Sequence, residues 1–165
     1  MLAGIILGIG MVACPAHQEL LTRQPSCYVS LAAAARVQVN AHALASIISA
    51  FRREHGLGPV TVDPELNRFA EAHARSMAAH NMMGHDVGTS FSERRRSIRA
   101  RIVVENVGAA YNNVAEAFAS WRDSPSHRAN MLDPDMTRIG IGAAPTYDTY
   151  YKSFWALVMA SPNRR

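Results

Sequence analysis

Two stretches of this chain carry residue types and spacings that can do chemistry. One is Trp121-Arg122-Asp123-Ser124-Pro125-Ser126-His127-Arg128-Ala129-Asn130-Met131-Leu132, and the other is Val103-Val104-Glu105-Asn106. Ser124 followed by Pro125 reads as an N-cap and first helical residue, because the Ser oxygen accepts an orphan N–H and Pro needs no donor there. His127 then lies in a first helical turn, where the positive end of the macrodipole disfavours imidazolium. A neutral imidazole is what a metal ion or a general base requires. Glu105 interrupts an apolar run from Ile102 to Val107, where a buried carboxylate is costly unless a charged or hydrogen-bonding group meets it. The two stretches are read as two walls of one site.

The 165 residues are 48% hydrophobic and 18% charged, which suits one packed domain and argues against wholesale disorder. The net charge of +4 comes almost entirely from Arg spread along the chain. One local run, Glu93-Arg94-Arg95-Arg96 with Arg99 and Arg101, lacks interleaved aromatics. It is read as a solvated basic helix face, and nucleic acid is not expected as a partner.

Residues Met1 to Ala13 carry no charge and are rich in Ile, Leu, Gly and Val, too short for a membrane span and suited to a signal h-region. Met11-Val12-Ala13-Cys14 resembles the lipobox of bacterial lipoproteins, which would make Cys14 a lipidated mature N-terminus. The alternative is ordinary cleavage nearby, such as after Ala16; where Cys14 is retained, an oxidising compartment leaves a Cys14–Cys27 disulfide open. The expected organisation is a signal at 1–16, a linker at 17–40 with a short helix around Leu31 to Val37, and a folded domain at 41–161. The protein is expected to be exported, as a periplasmic, membrane-anchored or extracellular form, with any anchoring through the N-terminus only.

The elements that must position the site follow from periodicity. Leu44, Ile47, Ile48 and Phe51 recur at helical spacing, and Gly56 is expected to stop that helix. Asp63 caps and Pro64 opens a second helix with Leu66, Phe69, Ala70, His73 and Met77 along one face. His73 is read as a packed or boundary histidine. A short third helix is expected from Ser92 to about Arg99, then a strand from Arg101 to Val107 ended by Gly108. Asn113 begins a helix with Val114, Ala117, Phe118 and Trp121 on one side, and a last helix reaches Leu132. Thr137 to Gly142 and Tyr150 to Met159 read as two closing strands joined by a turn at Pro145–Asp148. Helices first and strands last predict an α+β fold, an antiparallel sheet covered by helices.

His85 in Met-Gly-His, Glu105-Asn106, Trp121, Ser124 to Leu132 and Ile139-Gly140-Ile141-Gly142 occur in the order seen in bacterial CAP-domain, or SCP-like, proteins. The chain resembles that family over about residues 41–161. The resemblance implies a CAP-type α-β-α sandwich with a small antiparallel sheet, usually exported, with a cleft lined by two His and acidic residues. Carried over residue by residue, His85 matches the first cleft histidine, Glu105 the acid of the Gly-Glu-Asn motif, and His127 the second histidine. Val104 stands where Gly is usual before the Glu, and Ser126 where Gly is usual before the second His. Better-known eukaryotic members have a second Glu after the Trp; here Asp123 and Ser124 occupy that region, so Asp123 is the acidic partner offered.

Two imidazoles and a carboxylate from three segments can ligate Zn²⁺ or another divalent ion, with an open position for water or substrate. They can equally form a hydrogen-bonded cluster that fixes the cleft without metal. Ser124 or Ser126 as a nucleophile beside His127 is the weaker reading, since capping explains them. The function expected is an exported cell-envelope binding module for a small-molecule, lipid or envelope ligand. The alternative is a metal-dependent, peptidase-like hydrolase acting on envelope or extracellular material.

Overall fold

A computed structural model describes residues 39–146 and 150–163. The signal expected at 1–16, Cys14, Cys27 and the helix expected at Leu31–Val37 lie outside the described residues, as does part of the Pro145–Asp148 turn. In chain order the elements are α1 (Ala41–Glu54), β1 (Thr61–Val62), α2 (Pro64–His80), α3 (Phe91–Arg94) with a 3₁₀ turn at Arg95–Ser97, and β2 (Val103–Ala109). They continue with α4 (Val114–Asp123), α5 (Pro125–Met131), β3 (Arg138–Pro145) and β4 (Ser153–Ala160). The fold is α+β, as expected.

Helix starts follow local chemistry. The Asn40 side chain accepts from Ala43 N–H, Asp63 from Glu65, and Asn113 from Ala115 and Glu116. Ser124 departs from this pattern. Its backbone is extended and Pro125 opens α5, but its hydroxyl makes no capping bond and instead lies 3.5 Å from Ser126 Oγ. Proline at N1 has no N–H to satisfy, so the start tolerates the missing cap. α1 ends before Gly56, with His55 at the C-cap.

The sheet order is β1-β3-β4-β2. β2, β3 and β4 are antiparallel, whereas β1 pairs parallel to β3 through Thr61 and Val62. The antiparallel sheet expected is formed by β2, β4 and β3, and β1 adds a short parallel pairing at its edge. A two-residue extended piece that feeds directly into α2 carries too little pattern to set the direction of its pairing. β2 also runs through Gly108 to Ala109, which pair with Trp155 and Phe154. The third helix is shorter than expected, giving way to 3₁₀ geometry after Arg94.

Side chains alternate across strand faces, and β4 is buried along its whole length. Trp155, Leu157 and Met159 join a core with Leu44, Ile48, Trp121 and Met131 from α1, α4 and α5. Phe154, Ala156, Val158 and Ala160 join a second core with Leu66, Ala70 and Met77 of α2. The result is α2 on one sheet face and α1, α4 and α5 on the other. The Ile-Gly-Ile-Gly run of β3 fits this division. Ile139 and Ile141 enter the first core, while a methyl at Gly140 or Gly142 would fall within the backbone of Leu66–Asn67 or Ala70–Glu71. α2 rests directly on the strand there, and Asn67 Oδ1 accepts from Ile141 N–H at 2.9 Å.

Arg52 of α1 is 1% exposed. Its guanidinium donates to the carbonyls of Gly58, Met131, Asp133 and Met136 at 2.8–2.9 Å. The loops that follow α1 and α5 are thereby tied to one cation.

Candidate functional site

Glu105 occupies the β2 face shared with Val103 and Val107, towards α2, and is 4% exposed. Its carboxylate is met from three directions. Arg94, at the end of α3, donates from Nη1 to Oε2 at 3.0 Å and from Nη2 to Oε1 at 3.1 Å. His85 Nδ1, from the loop after α2, lies 3.0 Å from Oε1. His73 Nε2, on the buried face of α2, lies 3.6 Å from the same oxygen. Arg94 Nη2 also donates to the carbonyl of His85 at 2.7 Å, and its guanidinium stacks over Phe69 and Phe91. One arginine thus holds both the acid and the backbone of the histidine paired with it.

The charges shift each other's protonation. Burial pushes the Glu105 carboxyl up, but the bonds from His85 and Arg94 and the nearby His73 outweigh it and hold the pKa below the ordinary value. His85 is raised, first by its hydrogen bond to Glu105 and against its own burial. His73 is lowered by burial, which exceeds the attraction of Glu105. Its Nε2–H donates to the Gly84 carbonyl at 2.8 Å. The bare His73 Nδ1 is the one buried side-chain nitrogen or oxygen without a partner among the described residues.

The second wall is attached through the edge of the sheet. β2 is an edge strand, and its outward carbonyls are covered by side chains. Asn130 Nδ2 donates to Glu105 O at 3.3 Å, and Trp121 Nε1 donates to Val107 O at 3.2 Å. Asn106 Nδ2 donates to His127 O at 3.0 Å, while its Oδ1 accepts from Asn130 at 2.8 Å. The spacing Trp121…His127…Asn130 therefore fastens α4 and α5 to β2. The His127 pKa is lowered by burial and then by the nearby positive charge of His85. The neutral imidazole expected from the helix start is thus favoured for different reasons, desolvation and a neighbouring histidine.

The chain belongs to the CAP family. The profile of that family, described as the cysteine-rich secretory protein family, matches residues 46–159. The chain is 27% identical over 112 residues to YkwD of Bacillus subtilis (strain 168), covering 66% of this chain and 44% of that protein. An extracellular SCP-domain protein from Bacillus anthracis str. Ames superposes with a TM-score of 0.63 at 22% identity, over 73% of this chain and 40% of its own. An outer surface protein from Borrelia burgdorferi gives 0.64 at 19% identity, over 74% and 92%. A venom allergen-like protein from Schistosoma mansoni gives 0.59 at 11%, over 78% and 92%. The chain therefore spans less than half of YkwD and of the Bacillus anthracis protein, and the structural likeness concerns the fold.

Within this CAP domain, His85 pairs with Glu105, and the charge of His85 is felt at His127. Asp123 is placed differently. Its carboxylate, exposed at the end of α4, pairs with Arg122 Nε at 2.8 Å, and its pKa is lowered first by that bond. Among the described residues, no group of three His, Cys, Asp or Glu is arranged to hold a metal ion. The donor chemistry explains this, since the Glu105 oxygens are occupied by Arg94 and His85. A carboxylate on His85 Nδ1–H is the outer contact that fixes the tautomer of a ligating histidine.

Arg94 and His73 are the site residues that sequence reading left elsewhere. Arg94 was grouped with a solvated basic face, although a buried Glu105 calls for a cation and Arg94 opens the basic run preceding β2. His73 is buried as expected, and the added fact is its contact with Glu105.

Proposed function

We propose that this CAP domain is an exported cell-envelope binding module whose cleft is lined by His85 and His127 and stiffened from behind by Glu105 and Arg94. The observation that carries the reading is the engagement of both Glu105 oxygens by Arg94 and of one by His85. A carboxylate that accepts a two-point arginine fork and a histidine N–H is an organiser of the cleft, with little capacity left for abstracting a proton. Asp123, held by Arg122, offers no better base. The extracellular and outer-surface descriptions of the similar structures support export. Lipid anchoring through Cys14 is part of the proposal, and a Cys14→Ser variant released from membranes would support it.

A divalent ion, Zn²⁺ first, is proposed to bind His85 Nε2 and His127, with water or ligand completing its coordination. When bound, it would polarise an oxygen of the ligand. His85 then stays neutral with its Nδ1–H on Glu105, and burial helps keep His127 unprotonated. The test is Zn²⁺ titration calorimetry of wild type, His85→Ala and His127→Ala. Saturable binding lost in both variants supports the ion site. Absence of binding in the wild type refutes it and leaves a cleft built on hydrogen bonds. The hydrolase reading would require chelator-sensitive turnover of peptide or envelope substrates that disappears in both Glu105→Gln and Asp123→Asn.

A further inference from the structure

The basic run that follows Arg94 does not form a flat solvated face. Beyond Arg94, which turns inward to Glu105, the chain winds through one 3₁₀ turn and encloses a groove of about 600 Å³. It is lined by Ser92 and by Arg95, Arg96, Arg99 and Arg101, together with the apolar Ile98, Ala100 and Val103. No acidic residue lines it. Arg101 is paired with Asp135 at the rim, whereas among the described residues no carboxylate lies within ion-pair distance of Arg95, Arg96 or Arg99. All three are exposed, while Ile98, Ala100 and Val103 are buried.

We infer that this groove is a second ligand site, separate from the histidine cleft, and that it takes a phosphate group carried on a partly apolar molecule. Three guanidiniums around one concavity repel each other unless an anion sits among them. Planar N–H forks match the oxygens of a phosphate two at a time, which a lysine cluster would not do. The apolar lining suits the carbon part next to that phosphate, as in a glycerophosphate headgroup, and a bare inorganic ion would leave it unused. The site shares a segment with the cleft. Arg94 fastens the start of that segment to Glu105, so the groove walls are held in place by the pairing that orders His85. A headgroup in a bilayer and a soluble glycerophosphate present the same chemistry.

The test uses the full chain with two charge-matched triple variants. Arg95→Gln/Arg96→Gln/Arg99→Gln empties the groove, and Arg53→Gln/Arg68→Gln/Arg75→Gln removes the same charge from exposed helix positions elsewhere. Binding is measured by calorimetry to glycerol 3-phosphate, and by co-sedimentation with phosphatidylcholine vesicles with and without phosphatidylglycerol. The groove variant is expected to lose on the order of a hundredfold in affinity, with little change in the matched variant. Loss in the vesicle arm alone identifies the lipid as the source, and loss in both arms identifies any glycerophosphate. Equal losses in the two variants, or no binding of wild type in either arm, overturn the inference. Unchanged circular dichroism and thermal midpoint confirm that the groove variant is folded.

Discussion

The guanidinium of Arg94 and the carboxylate of Glu105 face each other as a two-point fork, at 3.0 and 3.1 Å, with Glu105 wholly buried and Arg94 nearly so. The same guanidinium reaches the carbonyl of His85. An acid on a strand, a cation at the end of a short helix and a histidine in a loop are thereby fixed in one geometry. Removing the acid leaves a buried cation without its partner, which is where buried pairs are most sensitive.

Glu105→Gln is expected to destabilise the domain by about 3 kcal/mol, read as a lower denaturant midpoint. A variant as stable as wild type would show that the fork contributes nothing to the fold.

The histidines should titrate apart. His85 is raised above its ordinary 6.5 by Glu105, so the stability it contributes is complete below the unfolded value and fades as pH rises through its folded value. His73 and His127 are lowered, chiefly by burial, so each withholds a proton that the unfolded chain binds. Stability therefore falls as pH drops below 6.5. Glu105, lowered in spite of burial, adds a further loss as pH falls through its folded value. Ring-proton NMR should place His85 above His127, and Glu105→Gln should bring His85 down. Coincident midpoints would contradict the cluster.

Trp121 is fully buried, donates to the Val107 carbonyl and packs edge-on against Tyr111. Trp121→Ala should cost about 3–5 kcal/mol in chemical unfolding. A near-neutral result would mean that α4 does not depend on this anchor.

Gly140→Ala should destabilise by more than about 2 kcal/mol, because the added methyl meets the α2 backbone and no flexible side chain can yield. Gly58→Ala, with open space around it, is the control and should be close to neutral. Equal melting of the two variants would remove the close helix-to-strand approach as an explanation of the Ile-Gly-Ile-Gly run.

What could be read from the sequence was what is local. Asp63-Pro64 and Asn113 announce helix starts because cap and first turn are neighbours in the chain. Glu105 was legible as an anomaly, an acid in an apolar strand. Its partners were not, because Arg94 and His73 reach it only after α2 and the following loop have folded over the sheet. Arg52 was equally hidden: its four carbonyl partners lie at Gly58 and between Met131 and Met136, and no spacing rule connects them. The parallel pairing of β1 was hidden because two extended residues say nothing about their partner. Ser124 shows the opposite error, a residue of the right type at the right place whose hydroxyl turns elsewhere.

β4 is bonded on both edges and packed on both faces, and it is the last strand in chain order. Until Ser153–Ala160 emerges during synthesis, β2 and β3 have no strand to join them, and each core lacks the side chains that β4 contributes. The nascent domain must therefore remain open until nearly all of it has been made, a state in which its apolar segments are exposed. Once closed, the amides of this strand should be the slowest in the molecule to exchange with solvent, since they open only when both layers separate.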